Sequence, residues 1–86
     1  MITDRERSYV ALASAVLNRA FHDLVGRYEK HASDIRREAY HFLTAELWEE
    51  DCLWTRILGG RISRERVLSK VRAKCRVRAN GYIEVI

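Results

Sequence analysis

Ser63-Arg64-Glu65-Arg66-Val67-Leu68-Ser69-Lys70-Val71-Arg72-Ala73-Lys74-Cys75-Arg76-Val77-Arg78-Ala79-Asn80-Gly81-Tyr82-Ile83-Glu84-Val85-Ile86 changes its apolar period part-way along, and that change decides the fold class. Val67, Leu68 and Val71 recur at helical spacing, and Ser63 stands where an N-cap side chain accepts from a free amide of the first turn. From Cys75 onward apolar and polar residues alternate, and the alternation breaks at Asn80-Gly81, a strong hairpin signal. A helix over residues 64–73 and a hairpin over 75–86 are expected. A three-residue loop, Ala79-Asn80-Gly81 with Gly81 left-handed, pairs Val77 with Ile83 and Cys75 with Val85 on a buried face. It sets Arg76 opposite Glu84 and Arg78 opposite Tyr82 on the wet face. A two-residue loop would pair Val77 with Glu84 and Arg76 with Val85, so the longer loop is preferred.

Upstream, Gly59-Gly60 ends a helix expected over residues 46–58, loaded with Leu47, Trp48, Leu53, Trp54, Ile57 and Leu58. Thr44 reads as its cap, and Glu46, Glu49, Glu50 and Asp51 crowd its start, where the helix dipole favours negative charge. Trp48 and Trp54 are six apart and cannot both hold the centre of one helical face. One is expected in the core and the other partly exposed, an interface anchor of the kind tryptophan often supplies, unless both fill the limited core of so small a domain. Before them, Ser33 with Asp34 caps a helix bearing Ile35, Ala39, Phe42 and Leu43 on one face, with Arg36, Arg37 and His41 largely off it. Residues 30–32 read as a connector. The first helix begins at a capping box, Thr3 with Glu6, and carries an apolar stripe of Tyr9, Leu12, Ala13, Val16, Leu17, Ala20, Phe21, Leu24, Val25 and Tyr28. Gly26 is a stop signal, but Tyr28 keeps the phase and extends the expected helix to about Glu29.

These elements make a mainly α protein, a small bundle of about four helices with a C-terminal β-hairpin. Residues 1–86 form a single domain, with a helical core over 4–58 and a basic helix and hairpin over 61–86. The chain has no proline, 48% hydrophobic and 33% charged residues, which favours uninterrupted helices and excludes a wholly disordered chain. So short a domain has a thin margin between core burial and chain entropy, which gives partner binding or self-association a place in its stability. Residues 1–7 lack the apolar core of a secretory signal, and no apolar run approaches the ~20 residues that span a bilayer. A soluble protein of the cytosol is expected, with no membrane partner.

Charge is segregated. Residues 1–60 carry 8 Lys and Arg against 10 Asp and Glu, net −2, whereas residues 61–86 carry 8 against 2, net +6. Clustered like charge destabilises the compact state, so a field this lopsided points to an anionic partner. If the acidic cluster of one copy faces the basic half of another, a homodimer or head-to-tail association follows. Cys52 and Cys75 belong to no CxxC pair, and His22, His31 and His41 lie at no ligand spacing, so no metal and no cofactor are expected and the thiols read as small buried groups. His22-Asp23 and Glu38 with His41 pair an acid with an imidazole, but no nucleophile accompanies them and no glycine-rich phosphate loop occurs. An enzyme is not expected.

The order helix, glycine turn, Ser-capped helix, basic hairpin resembles a winged helix-turn-helix module, carried by Ile57-Leu58-Gly59-Gly60-Arg61-Ile62-Ser63-Arg64-Glu65-Arg66-Val67. It departs from the usual pattern in its two glycines and Arg61, and in lacking the small residue early in the supporting helix. The resemblance implies a recognition helix with Arg64, Arg66 and Lys70 toward the major groove, Arg61 beside it, and Arg76 and Arg78 on the wing at phosphate or minor groove. The runs Ala15-Val16-Leu17-Asn18-Arg19-Ala20-Phe21-His22-Asp23 and Arg37-Glu38-Ala39-Tyr40-His41-Phe42-Leu43, with the Trp-bearing segment ending Leu58-Gly59-Gly60, resemble small helical proteins of temperate phages and prophages. That resemblance implies an accessory protein of the host-cell cytosol, either a regulator that binds duplex DNA or a stoichiometric inhibitor of a host protein complex, such as an anti-CRISPR. About five phosphate contacts would give duplex binding a log–log salt slope of about −4 to −5. An inhibitor would bind bare DNA poorly and its target at a defined stoichiometry.

Overall fold

Thr3 is in extended backbone, and its hydroxyl accepts from the Glu6 amide at 3.2 Å, which starts α1 (Asp4–Val25) with Asp4 and Glu6 in the first turn. The computed structural model describes residues 3–26 and 32–86. Along α1 the expected stripe is buried at Ala13, Ala20 and Leu24, but its first members Tyr9 and Leu12 are exposed, because among the described residues no other element covers that side of the N-terminal turns of so long a helix. The helix stops at Val25, short of the expected end, because Gly26 turns into extended backbone (φ −65°, ψ 151°) after its amide donates to the His22 carbonyl at 2.8 Å. Tyr28 and Glu29, onto which the apolar phase ran, lie outside the described residues.

The carbonyls at that helix end find a donor in another element. Arg36 of α2 (Ala32–Thr44) sends Nε to the Leu24 carbonyl and Nη2 to the Gly26 carbonyl, each at 3.0 Å, and is itself only 9% exposed. Sequence pattern put Arg36 largely off the buried face; the need of α1 for C-terminal donors brings it in. α2 is also already helical at Ala32, so Ser33 lies inside it rather than at its cap; Lys30 and His31 of the expected connector are outside the described residues. Ala39 and Leu43 then pack on Ala20 and Leu24.

The expected helix over 46–58 is broken. Thr44 ends α2 instead of capping a new helix, its hydroxyl donating back to the Tyr40 carbonyl at 2.7 Å. A single 3₁₀ turn (Glu46–Trp48) follows, then a turn through 49–51, and only then the six-residue α3 (Leu53–Leu58). Two physical reasons favour the break. Glu46, Glu49 and Glu50 would be like charges at i, i+3 and i+4 of a continuous helix. The break also frees Leu47, Trp48, Trp54 and Leu58 from a shared helical phase, so that Leu47 and Leu58 are buried and both tryptophans pack against the core. The Trp48 indole donates to the Leu43 carbonyl at 2.8 Å, capping the end of α2, and the Thr55 hydroxyl bonds the Leu47 carbonyl.

Gly59, at φ 54°, turns the chain into a second 3₁₀ turn (Gly59–Arg61). Ser63 then caps α4 (Arg64–Lys74), its hydroxyl accepting from the Arg66 amide at 3.4 Å, and Val67 and Val71 close the core. β1 (Cys75–Val77) and β2 (Ile83–Val85) form an antiparallel hairpin in the expected register, Cys75 with Val85, Arg76 with Glu84 and Val77 with Ile83. The loop is also as expected: the Arg78 amide donates to Tyr82 at 2.8 Å, the Gly81 amide to Arg78 at 2.9 Å, and Gly81 has φ 84°. Burial of the inner face differs. Only the diagonal Cys75 and Ile83 are buried, while Val77 and Val85 are 48% and 37% exposed. Strand twist brings a diagonal, not both facing pairs, onto the helical layer beneath.

Candidate binding surface

The basic residues of 61–78 fall into separate groups once the helix is drawn. All of Arg61, Arg64, Arg66, Lys70, Arg72, Lys74, Arg76 and Arg78 are exposed. Arg66 and Lys70, four apart on α4, stand on one flank and share two surface depressions, one of which Arg61 also borders. Arg64 borders neither; two residues from Arg66, it is turned roughly 200° around the helix. The expected trio Arg64, Arg66 and Lys70 therefore does not form one face, and the structure groups Arg61, Arg66 and Lys70 in its place. The Lys70 ammonium is 4.5 Å from the centroid of the Phe21 ring, a cation–π contact that pins this side chain against α1.

None of the cations from 61 to 74 makes an ion pair with a carboxylate among the described residues. Arg72 donates only to the Leu68 carbonyl of its own helix, at 3.3 Å. The hairpin is different. Arg76 and Arg78 both reach Glu84 Oε2, with Nε atoms at 3.1 and 2.8 Å. Hydrogen bonds from Arg78 and then Arg76 pull the Glu84 carboxyl down to about 2, and the same contact raises Arg78 above the ordinary arginine range. Cross-strand pairing of Arg76 with Glu84 was legible in the register; the second arginine on the same oxygen was not. The wing thus presents two guanidinium groups around one carboxylate.

The tryptophans do not stand out from the surface. Trp48 and Trp54 are half-buried on the core. The large apolar side chains that are exposed include Tyr9, Leu12 and Leu53 toward the N-terminal half, and Val77, Tyr82, Val85 and Ile86 on the hairpin. Sequence reading missed the inward turn of Arg36, and it placed Phe21 in the apolar stripe of α1 without its contact to Lys70. The signal for Arg36 is its phase: it lies on the stripe of Tyr40 and Leu43, where an arginine needs an acceptor. No such signal marks Phe21 as the ring beneath Lys70, because the two are brought together by tertiary packing.

Cys75 is buried, with its Sγ donating to the Val71 carbonyl at 3.4 Å, and burial pushes its thiol upward, only partly opposed by the nearby Arg36; Cys52 is half-buried. His22 and His41 are solvent-exposed beside Asp23 and Glu46, at 3.9 and 3.4 Å. No helix among the described residues is long and apolar enough to cross a membrane. Comparison with protein-family models, with curated proteins and with solved structures finds no match.

Proposed function

We propose that this protein is a non-enzymatic regulator of the phage type that binds duplex DNA through α4 and the hairpin. The observation that carries the reading is the unpaired cationic surface: six Lys and Arg over residues 61–74, all exposed, with no carboxylate partner among the described residues. Positive charge that forms no ion pair within the described residues, even with Glu65 beside Arg66 and Lys70, is free to neutralise phosphates and release condensed counterions. In this reading α4 is supported mainly by α2 rather than by the short α3, Arg61, Arg66 and Lys70 contact one groove and its backbone, and Arg76 and Arg78 contact flanking phosphate. Arg64, on another flank, contributes less.

Glu84 cancels one of the two wing charges, which leaves about four net phosphate contacts and a log–log salt slope of about −4. The test is anisotropy of a labelled random duplex at several salt concentrations. Arg66→Gln with Lys70→Gln is expected to weaken binding at least tenfold, and Arg64→Gln less than threefold. Salt-independent binding, or none at low salt, would remove the reading. A second reading, inhibition of a host protein complex, is favoured by the hairpin, where exposed Tyr82 shares the wet face with the Arg76–Glu84–Arg78 cluster and Val77 and Val85 are exposed on the other face. Apolar groups beside satisfied charges suit a protein interface better than a phosphate backbone. Binding to a purified partner that Tyr82→Ala disrupts, without duplex binding, would favour it.

A further inference from the structure

We infer that the cleft between α1 and the α3–α4 junction is a binding site for a small aromatic anion, a carboxylate, sulfonate or phosphate on one or two rings. The cleft holds about 310 Å³, at the lower end of the size range of small-ligand sites, roughly 300–1,000 Å³. Its floor and walls are Leu17, Phe21, Leu58, Ile62 and Val67. One lip carries Arg61, Arg66 and Lys70; the other, on α1, carries Ser14 and Asn18, which offer neutral hydrogen-bonding groups. No acid lines the cleft. An apolar bed with cations along a single lip selects an amphipathic anion twice over: the rings leave water on the floor, and the charge sits in a potential that the apolar walls focus. A neutral hydrocarbon would gain only the first term, and inorganic phosphate only the second.

Lys70 makes the lip a better receptor than a free surface lysine. Its ammonium is already held 4.5 Å from the Phe21 centroid, so less side-chain freedom is lost when an anion binds. Arg66 and Lys70 also belong to the surface assigned above to DNA, so a bound anion competes for the same charges and links ligand level to duplex release. The site itself stands without that reading, since neither cleft nor charge depends on a polymer.

The probe is 8-anilinonaphthalene-1-sulfonate, an aromatic sulfonate. Saturable fluorescence enhancement at one site per chain is expected, with amide chemical-shift changes confined to the neighbourhood of Leu17, Asn18, Phe21, Ile62 and Val67. Asn18 is exposed, and Asn18→Trp fills the cleft without altering charge; it is expected to weaken the probe at least tenfold while leaving the circular dichroism spectrum unchanged. Arg66→Gln with Lys70→Gln is expected to weaken it to a similar degree, and Arg64→Gln to leave it alone. Non-saturable enhancement, shifts centred on the hairpin, or full binding by Asn18→Trp would overturn the site. Loss of duplex binding with intact probe binding would instead sink the DNA reading alone.

Discussion

Arg36→Met is the substitution whose outcome the structure determines most fully. It keeps the unbranched apolar stem of the side chain while removing the guanidinium that donates to Leu24 and Gly26 at 3.0 Å each. The Leu24 bond is buried, so its loss leaves an unsatisfied carbonyl and costs about 2 kcal/mol after the relief of desolvating the charge. The Gly26 bond is part-buried, and water replaces the donor there, so about 1 kcal/mol is lost. A total near 3 kcal/mol is a large share of the ~4–13 kcal/mol expected for a domain of this length. It corresponds to a fall of about 15 °C in Tm. Urea unfolding followed by far-UV circular dichroism and tryptophan fluorescence measures it. Arg36→Lys, which can reach one carbonyl but cannot fork, is expected to recover about half, and the exposed Arg37→Ala to lie within ~0.5 kcal/mol of the parent. Arg36→Met within ~0.5 kcal/mol of the parent would refute the argument that α1 depends on a donor from α2.

Glu84→Gln frees one charge at the wing; duplex affinity is expected to rise and the salt slope to steepen by about one, as read by anisotropy, whereas unchanged affinity would place the wing outside the interface. The Glu84 carboxyl is held at about 2, below its ordinary 4.5, so its contribution to hairpin stability is fully present above about pH 4.5 and is lost as pH falls toward 2; side-chain carboxyl shifts in NMR report the midpoint, which Arg78→Ala should move upward. With Ellman's reagent under native conditions, Cys52 is expected to react first and the buried Cys75 only on unfolding. Equal rates would contradict the packing of Cys75 under the hairpin.

Much of the architecture was readable along the chain. The hairpin register followed from keeping Arg76 opposite Glu84 and Val77 opposite Ile83, and both were found paired so. The caps Thr3 and Ser63 formed where sequence put them. Segments whose signals conflicted came out otherwise: Gly26 overrode the apolar phase of Tyr28, and the carboxylates at 46–51 ended a helix that the leucines and tryptophans around them would have continued. In the candidate surface, exposure of the cations was readable from composition, but their grouping was not: Arg64 and Arg66 are neighbours in sequence and face apart on α4.

The chain by itself determined what depends on partners within about four residues or directly across a tight turn: capped helices, the Asn80-Gly81 hairpin, the split of charge between the two halves. Those contacts are local, and their geometry is set by backbone period alone. Only the tertiary structure decided that Arg36 is buried, that Trp48 and Trp54 both reach the core and that Lys70 rests on Phe21. Each of these needs a group from a distant part of the chain, or a bend no periodicity encodes, and which polar side chain is drawn inward is settled by whichever element brings the unmet carbonyl, ring or charge beside it.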